Sequence, residues 1–196
     1  MHKIFTLIII TVFSSTFLFA QETSDTHTLT AKVVRTKHNT AVTEDVVTEG
    51  NFYFKEPDKM CICFSEKKDM LIMDGNAFTM ISNGEKSVAK GKGAVHLGLL
   101  QRVMISILRG ENGDIDTGEL EDMEITRQED TIHITPVYDS QKAKRRMIFT
   151  SFTLTIDQKI SRLKSMCMHE KEGNYTRYDF SDYMITNSQS KKKNNE

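Results

Sequence analysis

From Leu29 to Lys90 short runs of β-branched and aromatic residues are separated by turn residues, and apolar side chains recur at every second position. That period is the period of a strand. Leu29 to Lys37, rich in Thr and Val, predicts a first strand, ended by His38-Asn39-Thr40. Val46 to Lys55 predicts a second, with Val46, Thr48, Gly50, Phe52 and Phe54 on one face, and Glu56-Pro57-Asp58 breaks it. Met60, Ile62 and Phe64 then alternate with Cys61, Cys63 and Ser65. Met70 to Met73 runs into Asp74-Gly75, and Phe78 to Ser82, which includes Met80, runs into Asn83-Gly84. Both pairs favour tight turns between antiparallel strands, so Glu85 to Lys90 is expected to complete a hairpin.

The period lengthens between Val95 and Arg109. Val95, Leu99, Leu100, Val103, Met104, Ile107 and Leu108 fall on one helical stripe, Leu97 and Ile105 widen it, and Gly110 stops it. So apolar a helix must lie against a broad apolar surface. A polar connection, Gly113 to Glu121, leads back to strands at Glu124 to Thr126, Thr131 to Val137 and Met147 to Ile156, the last with Phe152 and Leu154 in phase. Ile160 to His169 follows, with Met166 and Met168 on one face. After Gly173-Asn174 comes Tyr175 to Thr186, where Thr176, Tyr178, Phe180 and Met184 oppose Arg177, Asp179, Ser181 and Tyr183.

The fold class expected is mainly β: one antiparallel sheet with a single apolar face and a helix to cover it. A twisted sheet of this many strands curls, here into an unclosed half-barrel with the helix in its concavity. Two arrangements fit the pattern. Helix and sheet form a closed core, or they leave an apolar groove in which a bound acyl chain gains about 0.8 kcal/mol per buried CH₂.

The N-terminus adds a location. Met1-His2-Lys3 is basic, Ile4 to Ala20 is an uncharged apolar run of about 17 residues, and Ala20 precedes polar Gln21. This is the layout of a secretory signal peptide. A membrane anchor is the rival reading, but the run is short for a span and the small residue at Ala20 favours cleavage there. The organisation expected is a signal peptide over 1–20, one domain over 21–187 and a disordered polar tail over 188–196 that includes Lys191-Lys192-Lys193. Cleavage takes the formal charge only from −1 to −2, which points to neither nucleic acid nor an anionic membrane as main partner. Ten of the 11 Met lie beyond Met1. They suit either ordinary core filling or a surface that adapts to varied apolar ligands.

Chemistry is sparse. Cys61 and Cys63 share a strand face at the limit of bridging distance, and with Cys167 the count is odd. Adding His169 leaves no well-spaced fourth ligand, so no metal is expected. Asp74 sits in a turn, and Asp114, Asp116, Glu119, Glu121 and Asp122 form a solvated connector that does not match a calcium loop. No nucleophile elbow or phosphate-cradling loop is present. The expectation is a protein that is no enzyme and needs no cofactor.

Three segments carry a resemblance. GNFYFKEPDKMCICF, MLIMDGNAFTMIS and GNYTRYDFSDYMITN resemble, in order and spacing, strands of the periplasmic outer-membrane lipoprotein carrier (LolA-like) family. The resemblance runs from about Leu29 to Asn187. It implies an unclosed β-barrel covered by helices, with an apolar cavity for the acyl chains of a lipoprotein. That cargo is received from an inner-membrane ABC transporter and passed to an outer-membrane acceptor. Residues expected to line the cavity are Phe52, Phe54, Met60, Ile62, Phe64, Phe78 and Met80 in the first half. In the second half they are Leu100, Met104, Ile107, Phe152, Leu154, Met166, Met168, Tyr178 and Phe180. Lys55, Glu56 and Pro57 mark the lid region. The family tends to carry an Arg directly before the Pro, which fastens the lid; Glu56 cannot donate those hydrogen bonds, and Lys55 projects to the opposite face. Only Gln21 to Thr28 precedes the first strand, so the family's N-terminal helix is short or missing. The function expected is a monomeric periplasmic lipoprotein chaperone of divergent type. The alternatives are a carrier or sensor of another lipid or polyene, and an interaction domain without ligand.

Overall fold

The computed structural model describes residues 26–64, 68–75, 77–90, 92–111, 113–114, 123–138, 140–146 and 148–188. The expected signal peptide, Asp116 to Asp122 of the acidic connector and the tail beyond Ser188 lie outside them.

Among the described residues eleven strands form one sheet. In chain order they are β1 (Thr26–His38), β2 (Val46–Lys55), β3 (Lys59–Phe64), β4 (Asp69–Asp74), β5 (Ala77–Ser82), β6 (Glu85–Val88), β7 (Met123–Gln128), β8 (Thr131–Pro136), β9 (Phe149–Asp157), β10 (Arg162–Glu170) and β11 (Tyr175–Ser188). Helix α1 (Lys92–Arg109) separates β6 from β7, and a short α2 (Gln141–Arg146) separates β8 from β9. The spatial order is β6-β5-β4-β3-β2-β1-β11-β10-β9-β8-β7, with β6 and β7 at the edges, so the sheet is not closed into a barrel. All neighbours are antiparallel. Two meanders, β2–β6 and β7–β10, flank a central pair, β1 and β11.

The alternation seen in the sequence sets the two faces. Phe52 and Phe54, Met60, Ile62 and Phe64, and Leu71 and Met73 are buried in turn along β2, β3 and β4. Asn83 and Gly84 both have positive φ (51° and 83°), the backbone of the tight hairpin turn that Asn-Gly favours. β11 departs from simple alternation. Its pairing with β1 shifts register between Thr30 and Lys32, and Asp182 opposite has φ 52°. This bulge inserts an extra residue and inverts the phase beyond it. Tyr183, expected outward, packs against the core and donates from its hydroxyl to the Leu163 carbonyl at 2.7 Å. Met184, expected inward with Tyr178 and Phe180, is 65% exposed. Ser188, expected in the tail, ends β11.

Helix α1 lies against β5, β9 and β10. Leu99, Leu100, Val103, Met104 and Ile107 have 0% exposure. Among the described side chains the exposed stripe runs through Val95, Arg102 and Arg109, so Val95, expected on the apolar stripe, faces solvent: it lies seven residues, two full turns, before Arg102. At its C-terminus Gly110, with φ 84°, donates its N–H to Ile107 O (3.0 Å), and Glu111 donates to Ser106 O (2.9 Å). That paired closure satisfies carbonyls the helix end would leave bare.

Candidate functional site

A cavity of about 400 Å³ opens beside Leu97 in the N-terminal half of α1, its walls drawn from β1, β3–β6, α1, the start of β9, β10 and β11, with Ala89 and Ile148 beside them. Apolar side chains dominate it: Phe64, Leu71, Phe78, Leu97, Phe149 and Met168. A smaller pocket of about 230 Å³ adjoins it, sharing Ala89, Leu97, Ile148 and Phe149 and reaching His96 and Phe152. His96 is buried, edge-on to the Tyr138 ring at 6.0 Å.

One end of the cavity is polar. In β1 the buried positions run Leu29, Ala31, Val33 and then Arg35. Arg35 Nη2 donates to Asp69 Oδ2 (3.0 Å) and Thr48 Oγ1 (3.5 Å). Its guanidinium lies 4.1 Å over the Phe64 ring, an attraction between cation and π face. Gly50 makes that ring position possible. A Cβ there would meet the Phe64 ring at 2.5 Å and the Cys63 carbonyl oxygen at 2.4 Å. The Asn83 backbone N–H, at 3.1 Å, and then Arg35 hold the Asp69 carboxyl below its ordinary range against the opposing effect of burial. Burial pushes the Tyr178 phenol up to about 12, with Arg35 acting the other way, so it is neutral at neutral pH. Lys37, Glu170 and Thr176 complete this end.

Of the residues expected to line a cavity, Phe64, Phe78, Met80, Met168 and Tyr178 do so, and Phe152 lines the adjoining pocket. Phe52, Phe54, Met60, Ile62, Leu100, Met104, Ile107, Leu154, Met166 and Phe180 pack in the closed core. Arg35, Lys37, Asp69, Leu71, Leu97, Phe149 and Thr176 went unforeseen as lining residues. Arg35 had a readable signal, a charge in phase with the apolar face of its strand.

In the lid region Lys55 and Pro57 are exposed and Glu56 is half-buried. The tie between helix and turn runs the other way from the family pattern. Gln101 Nε2 donates to Asp58 O and Arg109 Nη2 donates to Pro57 O, both at 2.9 Å. The donors sit on α1 and the acceptors on the turn.

The outer face carries the remaining chemistry. Cys61 and Cys63 present their Sγ atoms 2.9 Å apart. His133 Nδ1 is 3.3 Å from Thr153 Oγ1, which is 3.0 Å from His169 Nε2; Cys167 Sγ is 3.9 Å from His169 Nδ1. Burial raises the Cys167 thiol and lowers the His169 imidazole. Both shifts favour the neutral forms, the reverse of an activated thiolate pair. Among the described residues no group of His, Cys, Asp and Glu could hold a metal ion. Asp74 pairs with Lys59 (3.2 Å) and Asp114 with Arg127 (3.1 Å).

An open antiparallel sheet that holds one apolar helix against its inner face, with an apolar cavity beside it, is a half-barrel. The chain belongs to the family described as outer membrane lipoprotein carrier protein LolA, whose model matches residues 24–193. No curated protein sequence matches. Among solved structures, the complex of MucA and MucB from Pseudomonas aeruginosa is similar at 10% identity and a TM-score of 0.40, over 84% of this chain and 54% of that one. The chain thus spans about half of that chain's length. A LolA superfamily protein from Nitrosomonas europaea is 8% identical with a TM-score of 0.34, over 83% and 87% of the two chains. An outer membrane lipoprotein-sorting protein domain from Vibrio parahaemolyticus is 10% identical with a TM-score of 0.37, over 84% and 87%. Family membership rests on the family model, and the fold on the sheet itself.

Proposed function

We propose that the protein is an exported, periplasmic carrier that shields the acyl chains of lipoproteins between the inner and outer membranes. It would receive them from an inner-membrane ABC transporter and release them to an outer-membrane acceptor. The observation that carries this reading is the apolar cavity of about 400 Å³ beside α1. Such a space suits an aliphatic chain, and each buried CH₂ adds about 0.8 kcal/mol. The sequence-derived lining residues then fall into two layers. Phe64, Phe78, Met80, Met168, Tyr178 and Phe152 meet ligand first. Those beneath α1, Leu100, Met104 and Ile107 with the strand residues facing them, become lining when α1 is displaced to admit a larger cargo. The Gln101 and Arg109 hydrogen bonds to the β2–β3 turn are the tie that such a displacement breaks. Among the described residues no helix is long and apolar enough to cross a membrane.

Purification from the periplasm followed by extraction and mass spectrometry tests this. Recovered lipoprotein supports the full reading, and free lipid alone narrows it to a lipid carrier. A clean extract, with no uptake of a fluorescent fatty acid, overturns both.

A further inference from the structure

The polar end of the cavity contains a buried cation with donors to spare. Arg35 is 9% exposed. Asp69 and Thr48 accept from its Nη2, while its buried Nε has no acceptor. A guanidinium carries more N–H donors than these acceptors engage, and an unmade bond to a buried donor is costly. The Phe64 ring below and Asp69 beside it hold the group in place. Asp69 has its other oxygen occupied by the Asn83 N–H. Lys37 and Glu170 stand at the same wall with opposite charges, so the spare donors of Arg35 set its preference.

From this we infer that the cavity takes a single-chain amphiphile with an anionic oxygen head. Its chain lies along Leu71, Phe78, Leu97, Phe149 and Met168, and a head oxygen accepts from the Arg35 guanidinium. The inference rests on the acyl-binding reading above and names the ligand class that fits the closed form. The volume of about 400 Å³ lies toward the small end of ligand pockets, which run from about 300 to 1,000 Å³; one chain fits it better than three. A carboxylate and a phosphate monoester present the same kind of acceptor to a guanidinium.

Calorimetric titration of the purified protein with palmitate, hexadecyl phosphate and hexadecanol separates head from chain. In the wild type at least one anion is expected to bind about 10-fold or more tightly than the alcohol, and the larger preference identifies carboxylate or phosphate. Arg35→Met combined with Asp69→Asn removes both charges together, so neither is left buried alone. That variant is expected to bind acid, phosphate and alcohol alike, while Lys32→Met, on the exposed outer face of β1, keeps the preference. Equal binding of acid, phosphate and alcohol by the wild type overturns the head-group assignment and leaves acyl binding standing. So does a preference that survives in the double variant. Failure of all three probes to bind removes the acyl-binding reading and this inference with it.

Discussion

Four residues on the neighbouring strands β1 to β4 build the polar end of the cavity, and each depends on the others. Gly50 leaves room for the Phe64 ring, the ring supports Arg35, and Arg35 pairs with Asp69. Gly50→Ala puts a methyl within 2.4 Å of the Cys63 backbone oxygen, and backbone cannot step aside as a side chain can. The expected cost is about 2 kcal/mol or more, read as a lower urea midpoint. A midpoint unchanged from wild type would show that the strands separate there without penalty. Asp69 sets an acid limit. Its folded pKa is depressed below 3.8, so its stabilising share is fully present above that value and is lost as pH falls through the lower folded value. Urea midpoints measured down this range should fall more steeply for wild type than for Asp69→Asn; parallel slopes would refute the linkage. Arg35 was legible in principle, since the period of β1 places it inward. What the period could not show was that its neighbours leave a space rather than fill it.

At the scale of elements, α1 is a plug as well as a cover. Its stripe was readable from Leu99, Leu100, Val103, Met104 and Ile107, whose spacing has one helical solution; Val95, read into it, lies on the exposed side instead. Its polar residues were not readable as ties, because their acceptors are backbone carbonyls of a turn distant in sequence. Removing those ties tests the plug. Gln101→Ala with Arg109→Ala is expected to destabilise the fold by only about 1 kcal/mol. It should speed uptake of a fluorescent fatty acid in stopped-flow mixing, and an unchanged rate would mean that α1 does not control entry. Glu56 stands where the family pattern has its Arg, and in this chain the donors to the turn are Gln101 and Arg109 on the helix. Two elements escaped the pattern for physical reasons. α2 is too short to show a period. The bulge at Asp182 obeys no alternation, and one extra residue exchanged the roles of Tyr183 and Met184.

For the whole molecule, local signals specified which strands were hairpin neighbours, because Asp74-Gly75 and Asn83-Gly84 act over a few residues. They carried no information on how the two meanders meet. That joint is β1 against β11, from Thr26↔Ser188 to His38↔Tyr175. The first and last strands therefore sit at the centre of the sheet, and the free edges come from the middle of the chain. This arrangement has a kinetic consequence. Contacts distant along the chain require the largest loop closure and form slowly, so each meander can condense before the two are sutured together. A chain still emerging from the ribosome holds β1 with only one neighbour until its final strand arrives. Pulse-labelled hydrogen exchange during refolding should show β3–β5 and β8–β10 amides protected before those shared by β1 and β11. Simultaneous protection would instead mean that the central seam is the nucleus.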